Sequence, residues 1–177
     1  FEDTRHVAVV LENEIAIHNF YVPAGGDIPD AKINKKFDHK LKFVNEMLDF
    51  FNKQKSSHTV LVGDLNIAPF ENDVWSHKQL LNVVSHTPIE TDLLIRLMNA
   101  SNWIDVGRKY FSKDEKLYSW WSYRNRDWKK SNRGRRLDHI WVSNDLKNSL
   151  KSYLSCQEIR DWEKPSDHVP LVIELRI

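Results

Sequence analysis

The sequence predicts one mixed α/β domain spanning residues 1–177. Short β-prone runs recur from the first residues to the last, two amphipathic helical stripes fall between them, and no linker-like or low-complexity stretch or internal repeat divides the chain. A length of 177 residues suits one domain and is enough to bury a substantial core.

The elements follow in order. Val7 to Glu12 and Ile15 to Val22 are β-like runs joined by a turn around Asn13, which predicts a hairpin. Phe37, Leu41, Val44, Leu48 and Phe51 recur at three- and four-residue steps, so they share one face of a helix. Lys40, Lys42, Glu46 and Asn52 are expected on its solvent side. Thr59 to Val62 is a buried strand that runs into Gly63-Asp64. Thr87-Pro88-Ile89-Glu90 has the form of a capping box with Pro at the first helical position, and Leu93, Leu94, Leu97 and Met98 supply the stripe of a second helix. Leu137 to Ser143, Ser152 to Ile159 and Val169 to Ile177 are further β-prone runs.

Composition removes several classes. Hydrophobic residues make up 41% and charged residues 29%, with no apolar run near the roughly 20 residues that span a bilayer. A soluble globular protein without a membrane partner is expected. Cys156 is the single cysteine, which excludes an internal disulfide and cysteine-rich zinc sites and fits a reducing compartment. The chain opens Phe1-Glu2-Asp3 with no Met and no leader-like stretch, as if entered midway, so an upstream portion is expected to be missing. The net charge of +1 hides a basic run: Arg124, Arg126, Lys129, Lys130, Arg133, Arg135 and Arg136 against Asp127 give +6 over residues 124–136, leaving −5 elsewhere. Such a run is a solvated loop or a phosphate-tracking one, and composition does not decide between them.

Polar residues gather where strands end. Asp64 and Asn66 in Gly63-Asp64-Leu65-Asn66 stand two apart, on one side if the backbone stays extended. Asp138 opens the run Leu137 to Val142, in which alternate residues are expected to be buried, and Ser166-Asp167-His168 precedes the last strand. Singly, an Asp in such a turn is more often a cap, and a lone His a satisfied surface or core group. Together, carboxylates, an amide, an imidazole and a Tyr without a Cys ligand suit a hard divalent cation such as Mg²⁺ and a phosphate ester. Attack on a phosphodiester needs an activated water, charge neutralisation on the non-bridging oxygens and help for the leaving oxygen.

The strings Asn19-Phe20-Tyr21-Val22-Pro23-Ala24-Gly25, Gly63-Asp64-Leu65-Asn66-Ile67-Ala68-Pro69, Tyr118-Ser119-Trp120-Trp121-Ser122-Tyr123-Arg124, Asn132-Arg133-Gly134-Arg135-Arg136-Leu137-Asp138 and Lys164-Pro165-Ser166-Asp167-His168 resemble, in order, the exonuclease III family of the endonuclease/exonuclease/phosphatase superfamily. The Gly-Asp-x-Asn and Ser-Asp-His motifs are superfamily-wide; the Trp-rich and Arg-Gly-Arg-Arg-Leu-Asp strings narrow the resemblance to its DNA-repair branch.

That resemblance implies a four-layer, deoxyribonuclease I-like sandwich of two packed, mostly antiparallel sheets flanked by helices. It implies a Mg²⁺-dependent phosphodiesterase, with Mn²⁺ as a substitute ion, that cuts double-stranded DNA 5′ to abasic sites and trims blocked 3′ ends. A monomer in the bacterial cytoplasm is expected. Asp64 matches the aspartate at the attacking water or leaving oxygen, and water activation is the favoured role. Asn66 orients that water or the scissile phosphate, Tyr21 donates to the phosphate, Asp138 holds His168 in one tautomer, and His168 contacts the phosphate. The implied metal set is Asp64, Asn66, Asp167 and His168. Trp120 matches the wall of a pocket for an extruded sugar without its base, the alternative being core packing. In this setting Arg124, Arg126, Lys129, Arg133, Arg135 and Arg136 are expected to meet the phosphates flanking a lesion, with damage rather than base sequence selecting the site.

Two departures stand out. The family's metal-binding Glu and its accompanying Asn lie upstream of the first strands and have no counterpart here, so weaker metal binding and an exposed apolar sheet surface are expected. Ala24 stands where some members carry a larger polar residue that reaches DNA. The competing expectations are a superfamily branch acting on lipid or inositol phosphates and a non-catalytic DNA-binding fragment.

Overall fold

The computed structural model describes residues 3–54, 56–125 and 127–176. Its elements are β1 (His6–Val10), β2 (Ala16–Phe20), α1 (Lys35–Lys53), β3 (Thr59–Asp64), α2 (His77–Leu80), α3 (Pro88–Ala100), β4 (Ile104–Asp105), α4 (Val106–Tyr110), β5 (Trp120–Trp121), α5 (Trp128–Ser131), β6 (Gly134–Arg135), β7 (Asp138–Val142), β8 (Leu150–Ser155) and β9 (Leu171–Leu175).

A five-stranded sheet runs in the order β1-β2-β3-β7-β4. The β1–β2 hairpin forms as its pattern predicts, β2 pairs parallel with β3, and β3 pairs antiparallel with β7. One face carries Phe20, Leu61 and Trp141 and packs against Phe37, Leu41, Val44 and Leu48 of α1 and Leu93, Leu94 and Leu97 of α3. The other, with Ile17, Val60, Val62, Ile140 and Val142, packs on Leu150, Tyr153, Leu171 and Ile173 of the β8–β9 pair. This is the expected class of packed sheets flanked by helices; of its four expected layers, the outer one over β8–β9 is not seen among the described residues, where Leu154 and Val172 are exposed. A strand between two such layers is covered on both faces. Accordingly, His139 to Val142 of β7 are all buried, where alternate burial was expected.

Both helices start at their encoded caps. Asn34 accepts the Lys36 amide at the start of α1, and Thr87 and Glu90 close the predicted capping box of α3. Three expectations need correction. Lys40 is on the core side of α1, because a residue three after Phe37 and four before Val44 shares their face. The run Ser152 to Ile159 is a strand only to Ser155; residues Gln157–Asp161 turn into a 3₁₀ helix. The last strand begins at Leu171, since Pro170 lacks the amide that ladder pairing needs and the amide of Val169 is bonded to the Ser119 carbonyl. Its expected end, Ile177, lies outside the described residues. On β1 every residue is exposed, Val7, Val9 and Val10 among them.

A buried ion network ties β4 and α4 to the strand ends. Arg136 is 1% exposed and grips both Asp105 oxygens at 2.8 Å, while its Nη2 also donates to Asp73 Oδ2 at 2.9 Å. Burial works against the Asp105 carboxylate, but the Arg136 guanidinium prevails and holds its pKa below the ordinary carboxylate range.

Removing Asp105 leaves two buried guanidinium groups, Arg136 and Arg108, to share the single carboxylate of Asp73, and an incompletely compensated buried charge costs about 3–5 kcal/mol. Asp105→Asn is expected to lose stability of that order in urea unfolding at pH 7. A depressed carboxylate stabilises the fold above its unfolded pKa of about 3.9 and loses that contribution as pH falls through the folded value. The gap between wild type and Asp105→Asn should therefore shrink below about pH 4; a gap constant with pH would contradict the assignment.

Candidate active site

Asp64 is the last residue of β3 and Asp138 the first of β7, and the antiparallel register makes them direct partners. Directly opposed residues project to the same side of a sheet, so the pairing brings two carboxylates together. Gly63 makes the approach feasible. Its φ is +137°, and a Cβ there would lie 1.9 Å from the Phe20 carbonyl oxygen, so only glycine lets the end of β2 come this close. The amide of Val22 then bonds to the Asp64 carbonyl at 3.0 Å, which brings the Tyr21 loop alongside.

Asn66 joins Asp64 by a different route from the expected extended backbone. Its φ is +52°, a left-handed conformation that Asn tolerates. Its backbone amide bonds to Asp64 Oδ1 and its side-chain amide to Asp64 Oδ2, each at 2.9 Å, and that amide also donates to the Val22 carbonyl. Both side-chain N–H groups are thus engaged, leaving the Oδ1 acceptor of Asn66 for chemistry.

His168 arrives on the segment that runs beside β5: the amide of Trp121 bonds to the Asp167 carbonyl and that of Val169 to the Ser119 carbonyl. Its Nδ1 lies 2.8 Å from Asp138 Oδ2. Ser119, fully buried, donates to the same oxygen at 2.6 Å and accepts from the amides of Leu137 and Asp138 at 3.0 Å. Ligand atoms of Asp64, Asp138 and His168 all lie within 4.8 Å of one another.

The electrostatics follow from this crowding. Burial, then the charge of Asp138, pushes the Asp64 carboxyl up to about 6, against the pull of His168, the Asn66 amide and Lys40. Burial disfavours a charged His168, but the hydrogen bond and charge of Asp138 outweigh it and raise its pKa, with Asp64 and Asp167 adding to the effect.

Beside this cluster is a groove of about 570 Å³ lined by Trp75, Trp120, Arg124, Asn125, Arg133 and Arg135. Arg133 lies over the Trp75 ring at 4.7 Å and Arg135 over Trp120 at 5.4 Å. Trp120 links groove to cluster: its indole N–H donates to Asp167 Oδ2 at 2.9 Å, and its backbone bridges to His168.

The sequence profile of the endonuclease/exonuclease/phosphatase family matches residues 17–168. The chain belongs to this family. Within it the chain is exonuclease III-like. It is 30% identical to the exodeoxyribonuclease III of Haemophilus influenzae, over 97% of this chain and 67% of that protein. Its fold superposes with a TM-score of 0.88 on an AP endonuclease from Archaeoglobus fulgidus, at 27% identity, covering 98% of this chain and 65% of that one. The same score is reached with the 3′ phosphatase NExo from Neisseria bound to a product DNA hairpin, at 25% identity, covering 99% of this chain and 67% of that one. The chain thus spans about two thirds of the length of each.

Of the residues that the exonuclease III resemblance singles out, the fold brings Asp64, Asn66, Asp138 and His168 together. Tyr21 is exposed at the end of β2, its ring under the Arg5 guanidinium at 5.0 Å. Asp167 is adjacent but outside the ligand cluster, and Asp138 stands in it instead. Half-buried Trp120 lines the groove rather than the core. Within the basic run, Arg124, Arg133 and Arg135 line the groove, Lys129 pairs with Asp161 at 2.5 Å, and Arg126 lies outside the described residues. Arg136 cannot meet DNA phosphates: it is the buried core of the Asp73 and Asp105 network. Sequence reading gave Ser119 no role, although its position as a small hydroxyl between aromatics in the Tyr118-Ser119-Trp120 string was a signal of a buried hydrogen-bonding group.

Since Asp138 is what raises the His168 pKa, Asp138→Asn should move the imidazole midpoint to lower pH in an NMR titration of the metal-free protein. An unchanged midpoint would show that the pair does not govern His168.

Proposed function

We propose that this chain carries the catalytic centre of a Mg²⁺-dependent DNA-repair phosphodiesterase, which cuts duplex DNA 5′ to abasic sites and trims blocked 3′ ends with 3′–5′ polarity. The reading includes action as a monomer in the bacterial cytoplasm. The observation that carries it is the convergence of Asp64, Asp138 and His168 beside a groove in which guanidinium groups cover indole rings.

Each group suits one task. Asp64, half-buried and bonded through both oxygens to the Asn66 amides, is a carboxylate placed to take a proton from an attacking water. Asn66, its N–H groups already bonded, accepts through Oδ1 and so orients that water. His168 commits Nδ1 to Asp138, which leaves Nε2–H of the imidazolium to donate to a non-bridging phosphate oxygen. Ser119 fixes Asp138 and thereby the ring. Tyr21 is assigned to the phosphate as the resemblance implies.

Two carboxylates and an amide oxygen make a hard donor set, the kind that suits a divalent cation. Asp64, Asn66 and Asp138 would hold Mg²⁺, with Mn²⁺ as a substitute, and Asp167 stands next to the set. Bound there, the ion would offset charge on the phosphate oxygens and ease departure of the leaving oxygen.

The groove supports a nucleic-acid substrate over a lipid or inositol phosphate. Arg124, Arg133 and Arg135 offer charge for successive phosphates, and Trp120 offers a flat apolar wall for a sugar that has left the stack.

The test is an abasic duplex incubated with the chain and Mg²⁺, beside a chelator control and an inositol phosphate. Metal-dependent cleavage of the duplex alone is expected. Asp64→Asn should abolish cleavage while leaving duplex affinity nearly intact. Binding without cleavage by the wild-type chain would favour a non-catalytic DNA-binding role, and equal turnover in wild type and Asp64→Asn would remove Asp64 from the mechanism.

A further inference from the structure

The Lys40 side chain is fully buried beneath the cluster, and so is its partner Glu90. An ammonium withdrawn from water is costly, and a buried ion pair is often no more stabilising than an apolar pair of the same shape. Joining α1 to α3 would therefore not require a charge. The acceptors around Lys40 Nζ do. It donates to the Asn66 carbonyl at 2.8 Å, to Glu90 Oε1 at 2.5 Å and to the Ala24 carbonyl at 3.3 Å. Asn66 and Ala24 sit in the two loops that carry the proposed machinery, Asp64 to Asn66 and Tyr21 to Gly25.

Both loops are shaped around this side chain. Asn66 is left-handed at φ +52°, so its carbonyl turns away from the extended course, and Lys40 receives it. Gly25 has φ +90°, and a Cβ there would come within 2.9 Å of Lys40 Cδ, so its loop lies directly on the lysine stem. Glu90 is fixed in turn, accepting from the amides of Ser85 and Thr87 and the Thr87 hydroxyl. Burial pulls the Lys40 pKa down, and the charge of Glu90 opposes this most strongly.

We infer that Lys40 is a positioning residue: its ammonium clamps the carbonyls of Asn66 and Ala24 and so fixes the Asp64–Asn66 turn against the Tyr21 loop, with Glu90 as its counter-ion. The inference rests on the proposed phosphodiesterase reading for its effect on turnover, but not for its effect on the turn itself.

Lys40→Met alone strands the Glu90 charge and is expected to destabilise the fold, so the informative variant is Lys40→Met with Glu90→Gln. Gln at position 90 keeps the capping box and removes the stranded charge. Three readouts on the full chain decide: thermal midpoint, hydrogen exchange of residues 63–69 against 88–100, and cleavage of an abasic duplex with Mg²⁺. The double variant should melt below wild type but above Lys40→Met alone, because the Asn66 and Ala24 carbonyls lose their donor while no charge is stranded, and it should keep 88–100 protected and exchange 63–69 about tenfold faster or more. It should lose about 10²-fold in kcat with KM unchanged, as a misplaced catalytic group does. Wild-type exchange at 63–69, or loss of protection spread equally over both segments, would overturn the inference. A wild-type chain that does not cleave the duplex would count against the phosphodiesterase reading, while the exchange comparison would still decide Lys40.

Discussion

The antiparallel register of β3 and β7 sets Asp64 directly opposite Asp138, and two carboxylates held side by side in a partly buried site repel. Much of the surrounding structure answers that repulsion. His168 and Ser119 both bond to Asp138 Oδ2, the Asn66 amides bond to both oxygens of Asp64, and the Lys40 ammonium lies beneath the turn. A site with surplus negative charge and oxygen donors is suited to a divalent cation and to a substrate that brings its own charge. The register itself is secured by core packing on both faces of β7, so the chemistry rests on the most deeply packed strand of the sheet.

Arg135 and Arg136 show how one stretch of chain serves two purposes. They are adjacent, and extended backbone sends neighbouring side chains to opposite sides. Arg135 reaches the groove, lies over Trp120 and is held by the Val84 carbonyl and the Ser85 hydroxyl. Arg136 turns inward to Asp73 and Asp105. The +6 run is therefore not a uniform cationic loop: part of it is internal ballast, and Arg124, Arg133 and Arg135 carry the groove.

Features written in local pattern were legible in the sequence. The 3.6-residue stripes of α1 and α3, the Thr87–Glu90 box and the β1–β2 hairpin depend on neighbours in the chain. The ordered motifs pointed to Asp64, Asn66, Asp138 and His168. Features set by distant contacts were not legible. Nothing near Lys40 shows that Glu90, fifty residues away, will take its charge into the core, and nothing near Arg136 shows Asp73 and Asp105 waiting for it. Asn66 was placed beside Asp64 for the wrong backbone reason, because a left-handed turn and an extended strand leave the same two-residue spacing. Ser119 was hidden by its size, since a buried hydroxyl and a small packing residue look alike until its partners are known.

The central claim is that Asp64, Asn66 and Asp138 form one cation-binding centre with His168 beside it. Titration of the isotopically labelled chain with Mn²⁺, followed by paramagnetic broadening, tests it without requiring turnover. The account predicts that signals of Gly63, Asn66, Asp138 and the His168 ring broaden first, and that Asp64→Asn weakens the effect. Broadening centred elsewhere, or none at these residues, would contradict it.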